Sequence, residues 1–299
     1  MKSKVIVNTR DVLVLVLAVL FISIGLAGNL LVVIAVWKKR SLRSTTNYLL
    51  VNLAVSDIIN LTFLPFIAIQ HYVWFEEGIL ADFMCKFFSY HIPLTASFAS
   101  IITLLVLSIE RYHAVVKPMK SGFRLRQETV HYAIISVWAF AICLTLPYYI
   151  FGYSRKSKCR HNLPDDAIES YVIIVMLTVV IVPFFVISFC YLQIVRELYL
   201  KPKQVGPQNV EIAEDQLVKR KLVKISLFVS LAYVICFFPM AITLFLNAYD
   251  EGKFGSKHYR NASILYFLES AVNPLLYSFQ SSNFRQAFKE LLRCRGCLR

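Results

Sequence analysis

An all-α membrane protein, a bundle of seven spans closed by a short amphipathic eighth helix, is the fold this sequence predicts. Three observations carry that expectation. First, 58% of the 299 residues are hydrophobic and 17% charged, with a mean hydropathy of +0.60; soluble domains hold about 45–50% apolar and about 25% charged residues. Second, long uncharged apolar runs separate the charges. Third, cations gather in alternate connections. The formal net charge of +14 would suit a nucleic-acid binder only if the cations formed patches on a hydrated surface, so no nucleic acid is expected as a partner. Aromatic content of 14% and only 9 glycines exclude disordered and collagen-like chains.

The run 12–37 carries no charge and stops at Lys38-Lys39-Arg40, which is long enough to cross a bilayer core of about 30 Å. It exceeds the roughly 7–15-residue apolar core of a cleaved signal peptide, so it reads as a mature span. Further spans fall at about 46–73, 83–114, 129–151, 170–198, 217–248 and 259–280. The organisation expected is a short extracellular N-terminus (1–11), a seven-span domain (12–280) and a cytosolic amphipathic helix and tail (281–299). No transporter-like internal repeat appears. Twenty basic residues lie after the first, third and fifth spans and in the tail, against eleven in the N-terminal segment and the other connections. That asymmetry places the C-terminus in the cytosol and the N-terminus outside.

Cys85 and Cys159 both fall on the outer side, where a disulfide is chemically permitted. Cys143, Cys190 and Cys236 lie inside spans as small apolar packing residues. Cys294 and Cys297 sit in the basic tail, positions suited to palmitoylation as well as to unmodified thiols.

Ionisable groups within a bilayer cost about 2.5–3.5 kcal/mol or more, so each needs a partner or a function. Asp57, Glu110, Arg111 and Glu269 are such groups. Ser100 and Arg111, about three turns apart, share one face of the third span. Glu269, Asn273 and Tyr277 recur at intervals of four, a stripe on one face of the seventh span beside the ladder-breaking Pro274. Asn29, Asp57, Ser100, Ser270 and Asn273 together offer hard oxygen ligands around one carboxylate, which suits a small cation. Hydrogen-bonded glue between helices, worth about 0.6 kcal/mol per contact, fits the same residues, and chemistry alone leaves both readings open.

The chain resembles a rhodopsin-like (class A) G-protein-coupled receptor, most nearly the neuropeptide receptor branch, along nearly its whole length. Gly28-Asn29, Leu53-Ala54-Val55-Ser56-Asp57, Glu110-Arg111-Tyr112, Trp138, Pro183 with Tyr191, Cys236-Phe237-Phe238-Pro239 and Asn273-Pro274-Leu275-Leu276-Tyr277 resemble that family's ordered motifs. The resemblance implies that Asn29, Asp57, Ser100, Ser270, Asn273 and Glu269 form an allosteric sodium pocket, sodium being the only metal expected and no other cofactor. It implies a Cys85–Cys159 disulfide. It also implies that Glu110, Arg111, Tyr112, Tyr191, Phe237, Pro239 and Tyr277 form the switch that meets the G protein. The segment Asn283 to Leu292 resembles the family's membrane-surface helix, with Phe284, Phe288 and Leu291 on one face.

Several departures stand out. Phe237 occupies the place of the family's usual Trp, and Tyr233 that of its usual Phe. Glu269 is an uncommon carboxylate beside the sodium pocket. Lys219 stands where some members carry an acid that tethers Arg111, which implies raised basal activity. Cys85 to Arg111 is one residue longer than typical, and Pro93 between them predicts a bulge or kink.

The outer half of the third span has no Asp for an amine ligand, and Phe267 stands where opsins hold the retinal Lys. Pro65 and Trp74-Phe75 resemble peptide-type receptors. Arg155, Lys156, Lys158, Arg160 and His161 surround Cys159 and could steer an acidic ligand, although Asp165, Asp166 and Glu169 follow closely. The N-terminal segment is too short for a protein-hormone domain. A short peptide is the expected ligand, with a lipid or other small molecule as the alternative. Pocket candidates by position are Gln70, His91, Pro93, Met240, Tyr259, Ser263 and Phe267. Expected partners are a heterotrimeric G protein, arrestin, receptor kinases and membrane lipids. The sequon at Asn60 falls mid-span and that at Asn261 close to the bilayer. An ion or proton transporter could also use Asp57 and Glu269. Enzyme chemistry is not expected, since His-Glu-x-x-His and Gly-x-Ser-x-Gly motifs are missing.

Overall fold

The computed structural model describes residues 9–69, 78–88, 91–117, 125–155, 158–162, 164–200, 210–249 and 256–293. A chain crossing lipid must satisfy its backbone hydrogen bonds internally, so apolar runs of this length become helices. They are α1 (Thr9–Lys38), α2 (Thr45–Ile69), α3 (Ile79–Phe87), α4 (His91–Val116) and α5 (Val130–Phe151), followed by α6 (Asp165–Val175), α7 (Val182–Val195), α8 (Val210–Tyr249), α9 (Ser256–Gln280) and α10 (Ser282–Arg293). Five helical stretches among the described residues are long and apolar enough to span a membrane. In α8 the described residues include a shorter apolar stretch, Ser230–Thr243, and α9 carries the polar stripe.

Two predicted spans are not simple rods. The third is described in two pieces: α3, after which the Phe88 N–H bonds the Met84 carbonyl, and α4 from His91, with residues 89–90 outside the described residues. Pro93 lies near the described start of α4 and is buried. In the fifth span a π-helical segment, Met176–Ile181, joins α6 to α7 just ahead of Pro183. A proline cannot donate to the preceding turn, and the wider winding accommodates that loss.

The loop expected after α5 contains a hairpin. Strands β1 (Gly152–Arg155) and β2 (Lys158–His161) pair antiparallel with Ser154 opposite Cys159. Its cross-links to α3 are the Cys85–Cys159 disulfide and a 2.6 Å bond from the Ser154 backbone N–H to Asp82 Oδ1.

α4 is the central element, buried along most of its length and packed on α2, α5 and α7; α1 lies against α2 and α9, and α8 against α9. Large apolar side chains such as Ile135, Phe185, Leu192 and Ile235 point outward to lipid. Leu49, Leu53, Leu104, Leu107 and Ile194 fill the interior. Lipid is as apolar as leucine, so helix association rests on close packing and polar contacts more than on hydrophobic burial. One polar joint of this kind links three helices: Asn52 donates to Thr103 Oγ1 at 2.7 Å and accepts from Trp138 Nε1 at 2.9 Å. Below the bundle, α10 buries Phe284, Ala287 and Phe288. Lys39 pairs with Glu290 beside it, and Gln286 donates to Glu290 at 3.0 Å. Those two donors, Lys39 foremost, hold the Glu290 carboxyl below the usual range.

Candidate functional site

The polar residues singled out in the spans turn inward. Asn29, Asp57 and Asn273 are fully buried, Ser100, Ser270 and Glu269 nearly so. At the centre, Asn273 Nδ2 donates to Asp57 Oδ2 at 2.9 Å and to Glu269 Oε1 at 2.6 Å. One amide thus joins α2 to α9 and two carboxylates to each other. Asn29 Nδ2 donates to the Ser270 carbonyl at 2.7 Å and to the Gly25 carbonyl at 3.0 Å, locking α1 to α9. The Ser270 side chain interacts with the Asp57 carboxylate. Ser100 is buried on α4 with its hydroxyl unpaired, and no hydrogen bond ties it to Asp57.

Five buried oxygens among these residues have no hydrogen-bond partner: Asn29 Oδ1, Asp57 Oδ1, Ser100 Oγ, Ser270 Oγ and Asn273 Oδ1. A buried acceptor left unsatisfied costs about 1–3 kcal/mol. An accumulation of orphaned acceptors around a carboxylate matches the kind of donor set that small hard cations take.

Toward the predicted outer side a second polar layer joins Asn60, Ser97 and Tyr266. Asn60 Nδ2 donates to Ser97 Oγ at 3.2 Å, Ser97 Oγ meets the Tyr266 hydroxyl, and that hydroxyl reaches the Pro93 carbonyl at 3.4 Å. Tyr266 also lies 6.1 Å, ring to ring, from Phe237, which stacks on Tyr233 at 5.1 Å. The sequence reading passed over this layer. The signal was present: Ser97, Ser100 and Thr103 repeat every three residues on α4, a stripe as regular as that on α9.

The switch residues divide. Arg111 and Glu110 form an ion pair in which the guanidinium holds Glu110 Oε2; both side chains are under a tenth exposed. The Tyr191 hydroxyl lies 3.4 Å from Ser230 Oγ, joining α7 to α8. Tyr112 is half-buried with Lys117 Nζ 5.5 Å above its ring. Pro239 opens the α8 ladder, and its carbonyl accepts from Thr243 Oγ1 at 2.7 Å. The Tyr277 and Lys219 side chains lie outside the described residues, as do Cys294 and Cys297.

Of the pocket candidates, Pro93, Met240 and Phe267 are buried, with Ser263 Oγ 4.0 Å from Met240 Sδ. Their side chains serve as packing within the bundle. His91 is half-buried, stacked on Tyr148 at 5.2 Å with Nδ1 3.2 Å from the Lys86 carbonyl. Thr95, one turn on, bonds Thr145 at 2.8 Å and Tyr149 at 2.9 Å. Gln70 and the Tyr259 side chain lie outside the described residues.

The sequence profile described as 7 transmembrane receptor (rhodopsin family) matches residues 28–277. Somatostatin receptor type 5 of Rattus norvegicus is 31% identical, the match covering 98% of this chain and 80% of that protein. Galanin receptor type 1 of Rattus norvegicus is 29% identical, over 97% of this chain and 85% of the receptor. Allatostatin-A receptor of Bombyx mori is 29% identical, over 91% of this chain and 77% of the receptor.

Proposed function

The chain belongs to the rhodopsin family of seven-transmembrane receptors, and from that premise we propose that it binds a short extracellular peptide and activates heterotrimeric G proteins. A member of this family is a multi-pass membrane receptor and not an enzyme. The observation that carries the signalling mechanism is the buried Arg111–Glu110 pair at the end of α4. A ligand at the outer end favours an arrangement in which α8 swings from α4, Arg111 leaves Glu110, and a crevice opens to the G-protein tail. Phe237, between Tyr233 and Tyr266, is the packing element on α8 through which the outer half is felt. The N-terminus faces outward and the C-terminus the cytosol, in accord with the distribution of cations. Arrestin, receptor kinases and acylation at Cys294 or Cys297 belong to the same reading.

The peptide assignment draws on three things: the names of the similar receptors, the lack of an amine-binding Asp in outer α4, and the basic cluster on β1 and β2. The hairpin whose sequence carries these cations is fixed to α3 through Cys159 and Ser154, and a basic sequence there suits an acidic peptide or a C-terminal carboxylate by charge complementarity. The orphaned oxygens around Asp57 fit a sodium ion, held by Asp57 with Asn29, Ser100, Ser270 and Asn273. Such an ion supplies charge compensation that stabilises the resting bundle.

Nucleotide exchange on a panel of G proteins tests the proposal, using membranes bearing the receptor or Arg111→Ala and tissue extract before and after protease digestion. Exchange that requires Arg111 and is destroyed by digestion is the expected result. Signalling unchanged by Arg111→Ala refutes the switch, and activity surviving digestion moves the ligand to a lipid or small metabolite.

A further inference from the structure

The central pocket holds two carboxylates where one would serve a sodium ion. Asp57 comes from α2 and Glu269 from α9, yet both accept from the same nitrogen, Asn273 Nδ2, at 2.9 and 2.6 Å. They therefore occupy one small space, with Asp57 sealed from solvent and Glu269 5% exposed. Among the described residues neither forms an ion pair; the pairs present join Lys39 to Glu290 and Arg111 to Glu110. Two adjacent anions in a membrane interior require compensation. The Asn273 amide supplies only a partial positive charge between them.

The neutral oxygens around the pair are also unfilled. Asn29 Oδ1, Ser100 Oγ and Asn273 Oδ1 are buried without partners, as is the second oxygen of Asp57. From α8 the Tyr233 hydroxyl, buried and likewise unpartnered, lies within electrostatic reach of both carboxylates. Hard cations of charge two take such sets of carboxylate and neutral oxygens, and affinity rises with the number of charged ligands. A monovalent ion leaves one negative charge uncompensated; a divalent ion compensates both.

We infer that Glu269 makes this pocket a site for a divalent cation of the magnesium or calcium type, held by Asp57 and Glu269 together with neutral oxygens of Asn29, Ser100 and Asn273. The inference rests on the cation reading of the pocket given above. Because Tyr233 lies on α8, an ion with its bound water also ties α8 to α2 and α9. Occupancy then restrains the helix that must swing during activation.

The test is the unfolding midpoint of the purified full-length receptor in nanodiscs of zwitterionic lipid, stripped with a chelator. Magnesium, calcium or sodium chloride is titrated with choline chloride holding ionic strength constant. The expected result is a saturable rise with magnesium or calcium at concentrations well below those needed for sodium. Glu269→Gln, which keeps the shape and the acceptor for Asn273, should weaken the divalent half-saturation by at least about tenfold, as expected for loss of one charged ligand, while the sodium response remains. Asp57→Asn should lose both responses. A divalent response that Glu269→Gln leaves unchanged, or a wild-type response to sodium alone, overturns the inference and leaves the sodium pocket standing. No response to any cation, in wild type and Asp57→Asn alike, overturns the pocket reading itself.

Discussion

Replacing Gly28 by alanine tests the packing logic at the contact between α1 and α9. A Cβ at Gly28 would lie 2.9 Å from Pro274 Cβ and 3.0 Å from Pro274 Cγ. Carbon atoms in ordinary contact sit about 3.5–4.0 Å apart, so the methyl intrudes by roughly half an ångström or more. A flexible side chain could rotate away, but the obstacle is a pyrrolidine ring fused to the α9 backbone. The helices must part instead, and overpacking of this kind costs about 1–3 kcal/mol. At roughly 2–4 °C per kcal/mol for large domains, the unfolding midpoint should fall by roughly 2–12 °C. The assay is thermal unfolding in lipid nanodiscs, with the lipid-facing Leu30→Ala on the same helix as control; Leu30 is 47% exposed. Because Asn273 adjoins Pro274 and Asn29 adjoins Gly28, the loss should be accompanied by weaker stabilisation by cations. A Gly28→Ala receptor as stable as Leu30→Ala would refute the claim that close approach at this point holds the two helices together.

Asn52→Leu removes one side chain's bonds to α4 and α5 at once and strands the Trp138 indole N–H, so a loss of about 1–3 kcal/mol is expected; an unaltered unfolding midpoint would show the three-helix joint to be dispensable. Glu110→Gln leaves the Arg111 charge buried without its partner, an arrangement that costs up to about 3–5 kcal/mol, so basal nucleotide exchange should rise while the receptor loses stability; basal exchange equal to wild type would mean that the pair does not restrain Arg111. The Glu290 carboxyl is held below its usual range by Lys39 and Gln286. Its contribution is therefore complete above the ordinary Glu value of about 4.3 and fades as pH falls through the lower folded value. Amide exchange along α10 should stay protected at neutral pH, and Glu290→Gln should speed it there; equal protection in both forms at neutral pH would count against the tether.

Much of this protein was legible without coordinates, because a bilayer leaves the chain little choice. Backbone groups in lipid can be satisfied only within helices, so runs such as 12–37 and 129–151 become spans wherever they occur. Charged and amide groups in those runs must face inward, and that requirement alone marked Asn29, Asp57, Arg111, Glu269 and Asn273, all of them buried. The period of four on α9 and the amphipathic pattern of α10 could be read for the same reason: each follows from the pitch of a single helix.

Contacts between helices were a different matter, since nothing in one helix specifies the height and rotation of its neighbour. That Asn273 bridges Asp57 and Glu269, that Ser97 meets Tyr266, and that Ser100 stays unpaired depends on how α2, α4 and α9 sit against one another. The hairpin tied to Asp82 was hidden similarly, in a segment of mixed charge without strand alternation. The sequence by itself determined which residues must be inside a seven-span bundle, through the cost of polar groups in lipid. Only the tertiary structure decided which of them share a hydrogen bond and which oxygens are left open, because that depends on distances between separate helices that no local pattern encodes.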